Sequence, residues 1–190
     1  MLVASCRAAV TGGFHCHRLS VERRYGAGMT SEHRADRHDG RHDFDFLHGS
    51  WHSRQRRLRS RLAGCDEWDE FAADLHCKPL LGGLGNTDEL SSPVMTYTGL
   101  ALRLYDEAER TWSIYWITGG SSAIEPPVVG HFADGAGDFI APDTHDGRPV
   151  LVRYRWSGIT PTSARWAQAL SADNGATWET NWTAEFSRAT

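Results

Sequence analysis

The chain has a single lysine, Lys78, against nineteen arginines, and no apolar run approaches the ~20 residues that a membrane-spanning helix requires. A helical membrane-spanning protein is thereby excluded. The net charge is −4, so the phosphate-neutralising attraction on which nucleic-acid binders depend is missing. The four cysteines, Cys6, Cys16, Cys65 and Cys77, form no C-x-x-C pair, which leaves neither a zinc nor a redox spacing. They read as reduced thiols of a cytoplasmic protein. The stretch Gly82-Gly83-Leu84-Gly85 lacks the G-x-G-x-x-G spacing and the Gly-Lys-Ser/Thr ending of phosphate-binding loops, and reads as a bend. No G-x-S-x-G elbow is present. The carboxylates at Asp106, Glu107, Glu109, Asp134, Asp143 and Asp146 fall in turns, where water solvates them, so a paired-carboxylate site is poorly supported. Helical periodicity is absent as well, apart from a turn around residues 43–47.

What is present is apolar and aromatic. Hydrophobic residues make up 40% of 190 positions, enough for a core that needs neither disulfide nor metal. All eight tryptophans lie after position 50. Residues 1–43 hold seven arginines and five histidines but no tryptophan and no sustained hydrophobic period. This segment is expected to be a disordered or mis-annotated N-terminal extension, with Met29 as a plainer start. Its opening apolar run of five residues is too short for a secretory signal. Residues 44–190 are expected to form the domain.

From residue 44 onward, short β-rich segments alternate with turn signals. The expected strands are 51–62, 68–78, 86–90, 97–105, 111–118, 128–133, 138–141, 149–156, 164–171 and 177–187. Turns such as Asp134-Gly135-Ala136-Gly137 and Asp173-Asn174-Gly175 join neighbours as hairpins. An antiparallel meander of this kind protects its edges most simply by closing on itself. The fold class is therefore all-β: a single up-and-down barrel of about eight to ten strands, wide enough to hold one small ligand. A two-sheet sandwich is the rival, but it needs Greek-key crossings that hairpin connections do not supply.

Phe44-Asp45-Phe46-Leu47-His48-Gly49-Ser50-Trp51 resembles the opening of calycin barrels, in which a short helical turn leads into a first strand bearing G-x-W. Residues 79–86, 112–116 and 178–182 resemble a bacterial family of lipocalin-like domains of unknown function. The resemblance covers about residues 43–188 and implies a closed barrel with a pocket, the Trp51 position plugging one end. It implies no reaction and no ligand. The run from Ser171 to Trp178 also fits the S-x-D-x-G-x-T-W pattern of Asp-boxes; a propeller would need several copies, so a local turn role is expected.

The candidate chemistry is collective. Trp112, Trp116, Tyr154, Trp156, Trp178 and Trp182 each sit on an expected strand two or four residues from another apolar or aromatic side chain, a spacing that lines one sheet face. Aromatic walls with a few polar groups suit a small-molecule pocket, and the competing reading is a simply packed core. The expected ligand-binding set is Trp116, Tyr154, Trp156 and Trp182 as walls, with Asn86, Asp88, Tyr115 and Asn181 as polar groups. The first functional reading is a small-molecule-binding barrel for an apolar or aromatic ligand, without nucleic acid or membrane as partner. The alternatives are a barrel enzyme for isomerisation or cyclisation of a small metabolite, and a haem-binding barrel. No cofactor is expected; for haem, His131 is the best-placed candidate among His76, His131 and His145. His48 and His52, with His42 and Asp45 nearby, are too far apart along a strand to converge on a metal and read as surface histidines. The run Arg54, Arg56, Arg57, Arg59 and Arg61 reads as an outer face with one or two members able to turn inward.

Overall fold

The structure is a computed structural model and describes residues 39–95 and 98–190. Ten antiparallel strands follow one another: β1 (Gly49–Leu58), β2 (Trp68–Leu80), β3 (Gly85–Ser91), β4 (Gly99–Asp106), β5 (Thr111–Thr118), β6 (Val128–Ala133), β7 (Ala136–His145), β8 (Arg148–Ser157), β9 (Ser163–Ser171) and β10 (Glu179–Arg188). Each pairs with its sequence neighbours, and β1 pairs with β10 to close the barrel. The up-and-down barrel is thus observed, and among the described residues no Greek-key crossing occurs. Most of the extension expected at residues 1–43 lies outside the described residues. Of its last residues, Asp39 and Gly40 bond to the barrel: Trp112 Nε1 donates to the Gly40 carbonyl at 2.8 Å, and Tyr105 Oη donates to that of Asp39 at 3.0 Å.

Strand alternation puts Trp51, Ser53 and Gln55 of β1 inside and His52, Arg54 and Arg56 outside. The strand stops at Leu58, short of the expected residue 62, because Leu62 takes a left-handed φ of 55° in the turn to β2. β7 runs past the expected end at 141, through Pro142. That proline is tolerated because β6 pairs only with residues 136–140, so position 142 has no neighbour on that side to which it must donate. Residue 97, the expected start of β4, lies outside the described residues.

One end of the barrel is solid. The 3-10 turn Asp45–Leu47 folds across it, and Phe44 meets Trp112 and Phe132 edge-on with ring centroids at 5.0 and 4.9 Å and packs beside Phe139 at 5.6 Å. Arg188 ties this plug to the last strand: its guanidinium lies 4.0 Å from the centre of the Trp51 ring and donates to the carbonyls of Phe46 and His48. The opposite end carries the β1–β2, β3–β4, β5–β6, β7–β8 and β9–β10 connections.

The β9–β10 connection is the Asp-box run, and its role is a turn. Asp173 accepts hydrogen bonds from Ser171 Oγ (2.7 Å), Thr177 N (2.8 Å) and Thr177 Oγ1 (2.6 Å), while Asn174 and Gly175 take positive φ. Trp178 Nε1 donates to the Gly175 carbonyl at 3.1 Å. The Thr177 and Ser171 donors hold the Asp173 carboxyl down at about 2. A carboxylate with a depressed folded pKa stabilises above its unfolded value of ~3.9 and loses that contribution as pH falls through the folded value. Asp173→Ala is therefore expected to lower stability at neutral pH, with the gap to wild type shrinking from about pH 4 down through pH 2. Urea unfolding across that range checks this; a gap that does not change with pH would remove the carboxylate from the account.

Candidate functional site

A cavity of about 240 Å³ lies above the plugged end. An adjoining lobe of about 150 Å³ shares Arg61, Ile114, Trp116, Glu125, Tyr154 and Gln168 with it. Together they reach the size range of small-molecule sites, ~300–1,000 Å³. The lobe exists because β6 pairs with β5 only at Trp112, Ser113 and Ile114. Beyond Ile114 the upper part of β5 loses that neighbour, and the β5–β6 connection returns with Glu125 N donating to the Trp116 carbonyl at 3.4 Å.

The wall is a continuous series of edge-to-face rings. Trp182 meets Trp116 at 6.4 Å and Trp166 at 5.7 Å between centroids, with interplanar angles of 78° and 84°. Trp166 in turn meets Tyr154 at 5.1 Å and 67°. Such T-shaped contacts fix ring orientation beyond what burial alone would do. Trp182 is held further by a polar relay. Its Nε1 donates to Gln55 Oε1 (2.8 Å), Gln55 Nε2 donates to Ser53 Oγ (2.8 Å), and Ser53 Oγ donates to the Ala73 carbonyl of β2 (2.9 Å).

Trp116 lies flat against β4 because position 99 is glycine. A Cβ built on Gly99 would stand 2.1 Å from Cη2 and Cζ2 of the indole, well inside van der Waals contact.

The floor is charged. Arg103 of β4 donates from Nη1 to Asn86 Oδ1 at 3.0 Å and to the Asp88 carboxylate, both on β3. The Arg103 and Asp88 side chains are only 5% and 2% exposed. The guanidinium packs over the rings of Phe44 (5.2 Å) and Trp156 (5.8 Å). Burial pushes the Asp88 carboxyl above the usual carboxylate range, opposed by the charge and hydrogen bond of Arg103. Burial also pushes the Cys77 thiol, the cross-strand neighbour of Asp88, up to about 12, so it stays protonated and inert. Near the mouth, burial raises the Tyr154 phenol, and Glu125 and Asp143 reinforce the shift. Glu125 itself is raised, first by partial burial and then by Asp143.

The expected site residues separate into three groups. Trp116, Tyr154, Trp156, Trp182 and Asp88 line the cavity. Asn86 and Asn181 are fully buried beneath the lining: Asn86 holds Arg103, and Asn181 accepts from Gln168 Nε2 at 2.9 Å. Asn181 turns inward beside Trp182 because the β9–β10 register shifts between Thr180 and Trp182, a bulge that puts two consecutive side chains inside. Tyr115 is placed differently from expectation. Trp112, Ile114 and Trp116 point inward on β5, so alternation turns Tyr115 to the outer face, away from the cavity.

Two rings of the expected aromatic wall also lie elsewhere. Trp112 belongs to the plug, and Trp178 packs outside against Arg153, whose guanidinium is 4.5 Å from its ring centre. His131 is exposed on the outer face of β6, between the inward Gly130 and Phe132, so it presents no ligand to the lumen, and among the described residues no histidine lines the cavity. His52 hydrogen-bonds Asp74 outside the barrel at 2.6 Å while His42 bonds Asp45 at 2.8 Å. Among the described residues no three metal-ligating side chains come together. Arg103, Trp166, Gln55 and Gln168 are lining residues that strand reading alone misses.

No family model matches the chain, and no curated protein does. Among solved structures it is similar to the S-type phycobiliprotein lyase of Guillardia theta, at 15% identity and a TM-score of 0.50, over 85% of this chain and 99% of that one. That likeness concerns the fold. With the closed ten-stranded meander, it bears out the single up-and-down barrel expected from the sequence. Among the described residues no helix is long and apolar enough to cross a membrane.

Proposed function

We propose that this chain is a small-molecule-binding barrel that holds an apolar or aromatic ligand between Trp116, Trp182, Trp166 and Tyr154. The observation that carries the reading is the aromatic cage itself. Four large rings set edge to face surround a cavity of about 240 Å³ instead of filling it, and the plug at the opposite end gives that cavity a floor. A packed core would close such a space, because unfilled volume forfeits dispersion contacts on every side. The barrel neighbour is named a phycobiliprotein lyase; at 15% identity its name adds a precedent for the architecture, and the ligand class here rests on the lining residues. The unpaired thiols of Cys65 and Cys77 support the cytoplasmic setting of this reading. No resident cofactor is part of it, and membership in the bacterial lipocalin-like family rests on the motif resemblance.

A neutral bicyclic probe tests the proposal. Titration with 2-naphthamide, followed by tryptophan fluorescence, is expected to saturate at one site per chain. Trp182→Ala is expected to weaken that binding by about 2 kcal/mol, roughly thirtyfold, as for a ring at the centre of a binding surface. An affinity unchanged by Trp182→Ala would place the site outside the cavity.

A further inference from the structure

Arg103 has five N–H donors in a rigid planar fork. Nη1 uses its donors on Asn86 and Asp88, both toward β3. Nε is buried with no hydrogen-bond partner. The guanidinium thus keeps donor capacity beyond its two bonds toward β3, and charge-assisted bonds to a carboxylate are the strongest use of it. The group is 4% exposed, lines the cavity floor, and stands among the rings of Phe44 and Trp156. In such surroundings an unmade charge-assisted hydrogen bond is costly, and an anionic oxygen is the group best able to make it. Trp156 Nε1, on the ring beside Arg103, is a second buried donor without a partner. The cation therefore sits at the floor, while the walls above it are aromatic.

Resting on the pocket reading above, we infer that the ligand is an aromatic or apolar carboxylic acid, bound acid first, with its carboxylate on the Arg103 guanidinium and its apolar body between the tryptophans. A monoanion suits the floor better than a phosphate. Among the described residues Arg103 is the one cation lining the floor, and it already shares its charge with Asp88, whereas Arg61 lines the cavity from the β1–β2 connection at the opposite end. A dianion would lack a second partner there.

The test compares two probes of one shape. At neutral pH, 2-naphthoate is expected to bind wild type at least about tenfold more tightly than 2-naphthamide, the effect of one charge-assisted bond. Arg103→Met should erase that preference, bringing the affinities of the two probes within about twofold of each other. Because Arg103→Met strands a buried carboxylate, the paired change Arg103→Met/Asp88→Leu, which removes both charges, is measured beside it and should lose the preference equally. Amide binding equal to or tighter than naphthoate binding in wild type overturns the inference and leaves the pocket reading standing. A preference that survives in both variants also overturns it. If neither probe binds wild type, the pocket reading fails and the inference with it.

Discussion

Gly99→Ala is expected to abolish ligand binding while the barrel stays folded. The new methyl would stand 2.1 Å from two carbons of the Trp116 indole, so the ring must leave the β4 wall. Its inner side is the cavity, and Thr118 and Glu125 line the way toward the mouth. Displacement in that direction occupies the space a ligand would take. Overpacking of this kind costs about 1–3 kcal/mol in stability, a tolerable loss, whereas the site loses its volume. Circular dichroism should show the same strand signal as wild type, and titration with 2-naphthamide should show no saturation. Undiminished binding in a folded Gly99→Ala protein would mean that Trp116 is not a wall of the site.

The second large effect concerns stability. Arg103→Met leaves Asp88, itself 2% exposed at the side chain, without its cation. Removing one partner of a buried pair costs about 3–5 kcal/mol, whereas replacing both by apolar groups is often neutral. Arg103→Met is therefore expected to be strongly destabilised at neutral pH, and Arg103→Met/Asp88→Leu to recover most of the loss. The pH dependence has a definite sign. A carboxyl whose folded pKa is raised stabilises the fold below its unfolded value, ~3.9, and that stability is lost as pH rises through the folded value. Without Arg103 the folded value of Asp88 rises further, so the variant should regain stability relative to wild type as pH is lowered. Chemical denaturation at several pH values reads this directly. A double variant no more stable than Arg103→Met would show that the pair is not the source of the effect.

Strand order and closure were legible because turn residues and period-two burial occur at nearly every connection. Asp134, Asp146, Asn174 and the glycines that follow them take the positive φ their turns require. Trp116, Tyr154, Trp156 and Trp182 were legible as walls because aromatic spacing on a strand translates directly into a shared face. Arg103 was not. Its strand reads Gly-Leu-Ala-Leu-Arg-Leu-Tyr-Asp, and the three leucines invite an inward assignment. The barrel instead turns Gly99, Ala101, Arg103 and Tyr105 inward, because the small residues leave room for the Trp116 ring and for the guanidinium. Cross-strand register decides which alternate set is inside, and one strand's hydrophobicity does not reveal it. Asn181 was expected as a polar group of the pocket; it lies buried beneath the lining, and its inward turn depends on the bulge between Thr180 and Trp182. Tyr115 stands one residue from Ile114 and from Trp116, so the same period-two spacing that put those two inside placed it on the opposite face.

The most direct test of the central claim follows the eight indole N–H signals in a two-dimensional NMR titration with 2-naphthamide. The account predicts that the signals of Trp116, Trp156, Trp166 and Trp182, which line the cavity, move together and saturate. Those of Trp51, Trp112 and Trp178, bonded to the carbonyls of Leu47, Gly40 and Gly175, and that of Trp68, beside Arg56 on the outside, should stay in place. Shifts confined to Trp68 and Trp178, or no shift at all at saturating probe, would contradict a ligand site inside the barrel.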